Sequence, residues 1–195
     1  MGLDSVELIY EVEGYFQVAI SDHLAETIST VGDFAAAVTR LQNLPPNAGR
    51  TAVHAEQLAK MMRFLRRQFP DITAATPLQE IGLLRPDEMV RPQLADHLSL
   101  ILPSVPTMVG PASAGWLQRL FGLNYPPPVP PAWPRATLAE FCDWLLAQNY
   151  QQLLPVPATL YEVQQAIIGL TSEKCGINVA EIQLTDSFTS DLGID

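Results

Sequence analysis

The sequence predicts an all-α protein, and three observations predict it. Apolar residues recur at three- and four-residue spacing in separate segments. Threonine followed three residues later by an acid, a helix-start signal, opens two of those segments, Thr30 with Asp33 and Thr159 with Glu162. Glycine or paired proline then closes them, at Gly176 and in "NLPPNAG". The chain has 195 residues, 48% apolar and 16% charged, the composition of a folded protein of one or two small domains.

In the first segment Val6, Ile9, Val12 and Phe16 form one buried stripe. Asp4, Glu7, Glu11 and Glu13 lie largely off it and near the helix start, where the dipole favours carboxylates. "QVAIS" reads as a short extended link, "DHLAETIS" as a brief helix, and "TVGDFAAAVTRL" as a helix capped by Thr30. At the far end, Thr159 and Glu162 form a capping box for a helix whose core face is Val163, Ala166, Ile167 and Leu170. "INVAEIQLTDSFTSDLGID" follows as a long structured loop anchored by Ile182 and Phe188. Three helices at the start and one at the end make four, the number in a small up-down bundle.

The net charge of −10 is uneven. Residues 1–49 hold seven acids against one arginine, and residues 136–195 eight acids against one lysine. Residues 50–135 hold nine bases against six acids. So acidic a surface argues against nucleic-acid binding and for basic protein partners. The N-terminus lacks the apolar run of a signal peptide, and the longest apolar stretch is broken by three prolines. No membrane span is therefore expected, and the expected location is cytoplasmic. Cys142 and Cys175 sit in apolar helical patterns and read as small buried side chains in a reducing compartment. His23, His54 and His97 lack ligand-like spacing and are expected at surfaces or helix ends. There is no nucleophile elbow, phosphate loop or Cys–His signature, so no enzymatic activity is expected.

Two stretches resemble the acyl carrier protein family. "EVQQAIIGLTSEKCGINVAEIQLTDSFTSDLGID" is similar to the family's first half, one helix and a loop ending in D-L-G-x-D. "LDSVELIYEVEGYFQVAISDHLAETISTVGDFAAAV" is similar to its second half, including I-x-D and T-V-G-D. Their order is reversed, so the resemblance is to a circularly permuted carrier. It implies a four-helix bundle built from residues 1–43 and 157–195, closed within one chain or across two chains of a domain-swapped homodimer. It also implies a carrier of acyl intermediates in fatty-acid, polyketide or related biosynthesis. The acyl group would ride on 4′-phosphopantetheine, bound to a serine after D-L-G-x-D at a helix start. A phosphodiester there meets free N–H groups and the positive end of the dipole. The implied partners are a phosphopantetheinyl transferase and acyl-transfer or synthase enzymes, docked on the acidic helix bearing Asp4, Glu7, Glu11 and Glu13.

Ser5, preceded by Asp4, is the attachment candidate. In the register that best preserves the apolar stripe, however, Gly2 occupies the family's serine position. Ser5 then lies one turn further in and reads as a helix N-cap. Two functions stay open: a carrier modified on Ser5, and a carrier-fold interaction module without prosthetic group that binds a partner enzyme through its acidic helix. Ser187 and Ser190 read as loop-capping residues.

Residues 51–150 read either as a degenerate second carrier-like unit or as an unrelated helical insertion. "AEQLAKMMRFLRRQFPDITAATPLQEIGLL" parallels the helix and loop at the chain end, and "ATLAEFCDWLLAQNY" parallels the helix after Thr30. "RPDEMVRPQLADHLSLIL" between them is expected to be helical, and the proline-rich segment 125–134 extended. No Asp–Ser pair follows "EIGL", so this unit lacks an attachment serine. Lys60, Arg63, Arg66 and Arg67 make a basic stripe, opposite an apolar face of Met61, Met62, Leu65 and Phe69. It reads as a solvated face or as a dock for an acidic carrier face. Trp116, Trp133 and Trp144 read as packing residues.

Overall fold

The computed structural model describes residues 3–84, 89–104 and 135–194. Gly2, Asp195, Trp116, Trp133 and the proline-rich segment 125–134 lie outside them. Among the described residues every regular element is helical. In chain order these are α1 (Leu3–Phe16), α2 (Asp22–Ala25), α3 (Val31–Leu41), α4 (Ala52–Leu65), a 3-10 turn (Leu78–Ile81), α5 (Val90–Leu98), α6 (Leu138–Gln148), α7 (Tyr150–Leu153) and α8 (Leu160–Cys175).

The local signals explain most boundaries. Thr30 and Asp33 form a complete capping box at α3: Thr30 accepts from the Asp33 N–H at 3.1 Å, and Asp33 accepts from the Thr30 N–H at 3.0 Å. Thr137 and Glu140 repeat it at α6. The box expected at α8 forms only in half. Thr159 accepts from the Glu162 N–H at 3.3 Å, but the Glu162 carboxylate takes the Ala158 N–H, one residue earlier, at 2.8 Å. Gly176 closes α8 with φ 67°, the left-handed conformation that favours glycine.

The first N–H groups of a helix have no partner within it. In α3 and α6 they are taken by loop carbonyls, in the same pattern both times. Val31 and Gly32 donate to the Asp186 and Leu184 carbonyls at 3.1 and 2.8 Å, and Phe188 donates back to Ser29 at 3.2 Å. Leu138 and Ala139 donate to Thr76 and Ala74 at 3.0 and 2.9 Å, and Leu78 donates back to Ala136 at 2.9 Å. The loops supplying these carbonyls bury corresponding side chains, Ile72, Leu78 and Leu83 in one and Ile182, Phe188 and Ile194 in the other. Each turns on a left-handed glycine, Gly82 at φ 69° and Gly193 at φ 68°. The ends of α1 and α5 also match. Gln17 and Ser99 are left-handed at φ 53° and 54°, and the next residue in each case donates five residues back, Val18 to Glu13 and Leu100 to Ala95.

The helix at the end of the chain is the centre of the molecule. α8 packs on α1, α3 and α6, while α4 packs on α6 and α5. The two ends of the chain therefore meet within one chain, through α1, α3 and α8. The sequence shows one core face on α8, yet Tyr161–Val163 and Gln165–Thr171 are all buried. A helix covered all round lies between other elements rather than on a surface, and α8 lies between α3 and α6. Gly169 permits the closest approach: a Cβ there would collide with the Ala147 carbonyl oxygen and the Tyr150 ring.

A polar staple joins α4, α6 and α8. Arg50 grips Asp143 through two nitrogens, Nε at 3.1 Å and Nη2 at 2.7 Å. Tyr161 donates its hydroxyl to Asp143 at 2.5 Å, and the His54 ring lies 3.3 Å from the same carboxylate and 3.1 Å from the Ala139 carbonyl. His54 is thus 3% exposed rather than at a surface, because Asp143 and a helix carbonyl satisfy its ring. His97 stacks on Phe64 in the last turn of α5, and His23 lies in the last turn of α2.

Candidate functional site on the first helix

α1 is amphipathic, and its two faces have different work. Leu8, Val12 and Phe16 are buried at 3% exposure or less, and Ile9 and Tyr15 pack partly against the core. Val6, expected in the stripe, is only half-buried. Tyr15 anchors the C-terminal half, donating its hydroxyl to the Leu154 carbonyl at 2.5 Å. Burial pushes that hydroxyl up to about 12. The opposite face presents Glu7, Tyr10, Glu11 and Gly14, with Tyr10 67% exposed.

The residues singled out from the sequence divide between these faces. The helix already begins at Leu3, so Ser5 is its third residue and not its N-cap. At about 100° per residue, Ser5 projects within roughly 20° of Val12 and Phe16, on the core-facing side. It is half-buried. Asp4 lies in the first turn of α1. Glu7 pairs with Lys174 near the end of α8, fixing the antiparallel closure of the chain ends, and remains 47% exposed. Glu11 is exposed. Glu13 is half-buried, and its carboxylate accepts from the Ile20 N–H at 2.6 Å, closing the link to α2.

Between α1, α7 and α8 a cleft of about 460 Å³ is lined by Glu11, Tyr15, Tyr150, Glu173 and Lys174, with Gly14 leaving one side open. Tyr150 donates to Glu173 at 2.9 Å, and burial raises its hydroxyl well above the ordinary tyrosine value. Neither phenol is a base near neutrality. Cys142 presents no reactive thiolate. It is buried, burial drives its thiol far up, and it contacts the His54 carbonyl at 3.5 Å. Cys175 is only half-buried.

The phosphopantetheine arm needs a hydroxyl presented to solvent at a helix start. Ser5 projects from the core-facing side of the third helical position, and Gly2 has no hydroxyl. Two features of the site escape the sequence motif altogether. Tyr10 lies on the outward face, which the apolar stripe defines only by exclusion. Lys174, the partner of Glu7, belongs to the other end of the chain.

No protein-family model, curated protein or solved structure matches this chain at a significant level. Among the described residues no helix is long and apolar enough to cross a membrane.

Proposed function

We propose that the chain is a carrier-type interaction module without a prosthetic arm, which docks on a basic partner enzyme through the outward face of α1. The docking residues are Glu7, Tyr10 and Glu11, and the partner class is the transferases and acyl-transfer or synthase enzymes that receive carriers in biosynthesis. In this reading residues 1–43 and 157–195 form a permuted carrier-like bundle, and 51–150 form a second, serine-less unit. The recurring loop-to-helix bonds, matched glycine turns and paired capping boxes support two units of one plan. The observation that carries the choice over a loaded carrier is the placement of Ser5 on the same side of α1 as Val12 and Phe16.

The test uses the full chain, coenzyme A and a broad-specificity phosphopantetheinyl transferase. The expected result is reversible binding of the transferase with no gain in intact mass. That binding weakens as salt rises and weakens again in Glu11→Lys. A mass gain of one phosphopantetheine that Ser5→Ala removes would restore the loaded carrier. Absence of binding at low salt would remove the docking role.

A further inference from the structure

We propose that the partner surface for α1 is present on the chain itself, so that the acidic face of one copy docks on the basic face of α4 in a second copy. This rests on α1 being the docking face, and adds what it docks against. Four observations on α4 and its neighbourhood carry the inference.

First, Arg63, Arg66 and Arg67 are exposed at the C-terminal end of α4, and among the described residues none of them has an ion-pair partner. Lys60, by contrast, is paired with Glu56 at 2.8 Å. Second, Gln68 and Phe69, next in sequence, line a recess of about 290 Å³ that Asp71, Ile72, Glu80 and Ile81 also line. Its apolar side chains suit a protruding aromatic ring, whose hydroxyl can donate to either recess carboxylate, and the arginines beside it suit the carboxylates flanking that ring. Third, α1 presents that complement, with Tyr10 exposed between Glu7 and Glu11. The carboxylates can meet guanidinium forks while the ring fills the recess.

Fourth, the packing of α1 on α8, α8 on α6 and α6 on α4 puts two helices between the two faces in the order of contacts. Docking is then head to tail between copies. Such a contact is heterologous, and it propagates unless rotation closes a ring. The net charge of −10 repels copies at long range. Screening over about 10 Å at 0.1 M salt dampens that repulsion and leaves charges in contact able to attract.

Sedimentation velocity on the full chain, over a range of concentrations, tests this. At about 0.1 M salt the weight-average sedimentation coefficient is expected to rise with concentration, and at about 1 M salt, where the Debye length is about 3 Å, to return to the monomer value. Arg66→Glu/Arg67→Glu, Glu11→Lys and Tyr10→Ser should each weaken association about tenfold or more. All are exposed positions, and circular dichroism checks that each variant folds. Mixing Arg66→Glu/Arg67→Glu with Glu11→Lys should restore association, because each then meets its opposite. A wild-type chain that stays monomeric throughout overturns the proposal, as does association that survives the arginine reversal or a mixture that fails to recover. If the chain stays monomeric but still binds the transferase, only the self-docking falls. If both are absent, the docking role of α1 falls with it.

Discussion

Gly169→Ala tests whether α8 is pressed against α6 and α7. Alanine replacing glycine inside an exposed helix ordinarily stabilises it by about 1 kcal/mol. At Gly169 the added Cβ meets the Ala147 backbone oxygen and the ring of Tyr150, which is itself 2% exposed. Neither neighbour is a flexible chain end, so relief requires moving α8 relative to α6 and α7. Overpacking of this kind costs about 1–3 kcal/mol. With a rigid backbone atom and a buried ring both in the way, the upper part of that range applies. The net expectation is destabilisation by about 1–2 kcal/mol, and more for Gly169→Val. Gly14→Ala is the control: nothing lies within 4 Å of its added Cβ, so the ordinary gain of about 1 kcal/mol should appear. Urea unfolding followed by circular dichroism measures both, from midpoints at constant m-value. If Gly169→Ala is as stable as the unsubstituted chain, or more so, α8 does not approach α6 and α7 this closely, and its all-round burial is wrong.

The paired caps should behave alike: Thr30→Ala and Thr137→Ala each cost about 1 kcal/mol, and in the double variant the costs should add, since the two sites share no partner. Asp143→Ala leaves the buried Tyr161 hydroxyl without its acceptor and Arg50 without its partner, while His54 keeps the Ala139 carbonyl, and should cost about 2 kcal/mol in the same urea assay. Tyr15 titrates about two decades above its ordinary 10.0, so its folded pKa is raised; the associated stability is complete below pH 10 and lost as pH rises toward 12. Tyr15→Phe should therefore flatten the alkaline fall of Tm, though only in part, because burial raises Tyr150 and Tyr161 as well. Hydrogen bonds from Ser29 and Thr30 hold the Asp33 carboxyl below its ordinary 3.8, so its contribution is present above that pH and fades as pH falls through the folded value; Asp33→Asn should shallow the acid fall of Tm.

The helices with their own punctuation were legible. Thr30 and Gly176 act through bonds within three or four residues, which is the range a sequence pattern reports. Ile182 and Phe188 were legible as anchors because they are large apolar residues in a polar loop. What stayed hidden depends on tertiary neighbours. Only one side of α8 could be assigned to the core, because its other buried side carries Glu162, Gln165 and Gly169, which look solvent-facing until α6 is placed against them. His54 lies at a helix end, in the first turn of α4, but its burial stayed hidden for the same reason: its acceptors, Asp143 and the Ala139 carbonyl, come from more than eighty residues away. Nothing local shows that the Glu13 carboxylate folds back onto the Ile20 N–H.

Gly82 and Gly193 separate what the D-L-G stretch does for folding from what it does for attachment. At both positions the chain adopts a left-handed turn, and the next residue, Leu83 or Ile194, drops into the core. The Ile194 N–H then closes the loop on the Phe188 carbonyl at 2.8 Å. Each of these contacts is made by backbone and apolar side chain, and none requires a serine. A middle segment with Leu84 after that anchor, and no Asp–Ser pair, can therefore build the same loop and the same grip on its partner helix. For α1 the consequence is that the apolar stripe, not the position of a hydroxyl, sets the rotation of the helix. Once Leu8, Val12 and Phe16 are buried, Glu7, Tyr10 and Glu11 face outward and Ser5 lies half-buried beside the stripe, the arrangement from which the recognition role is proposed.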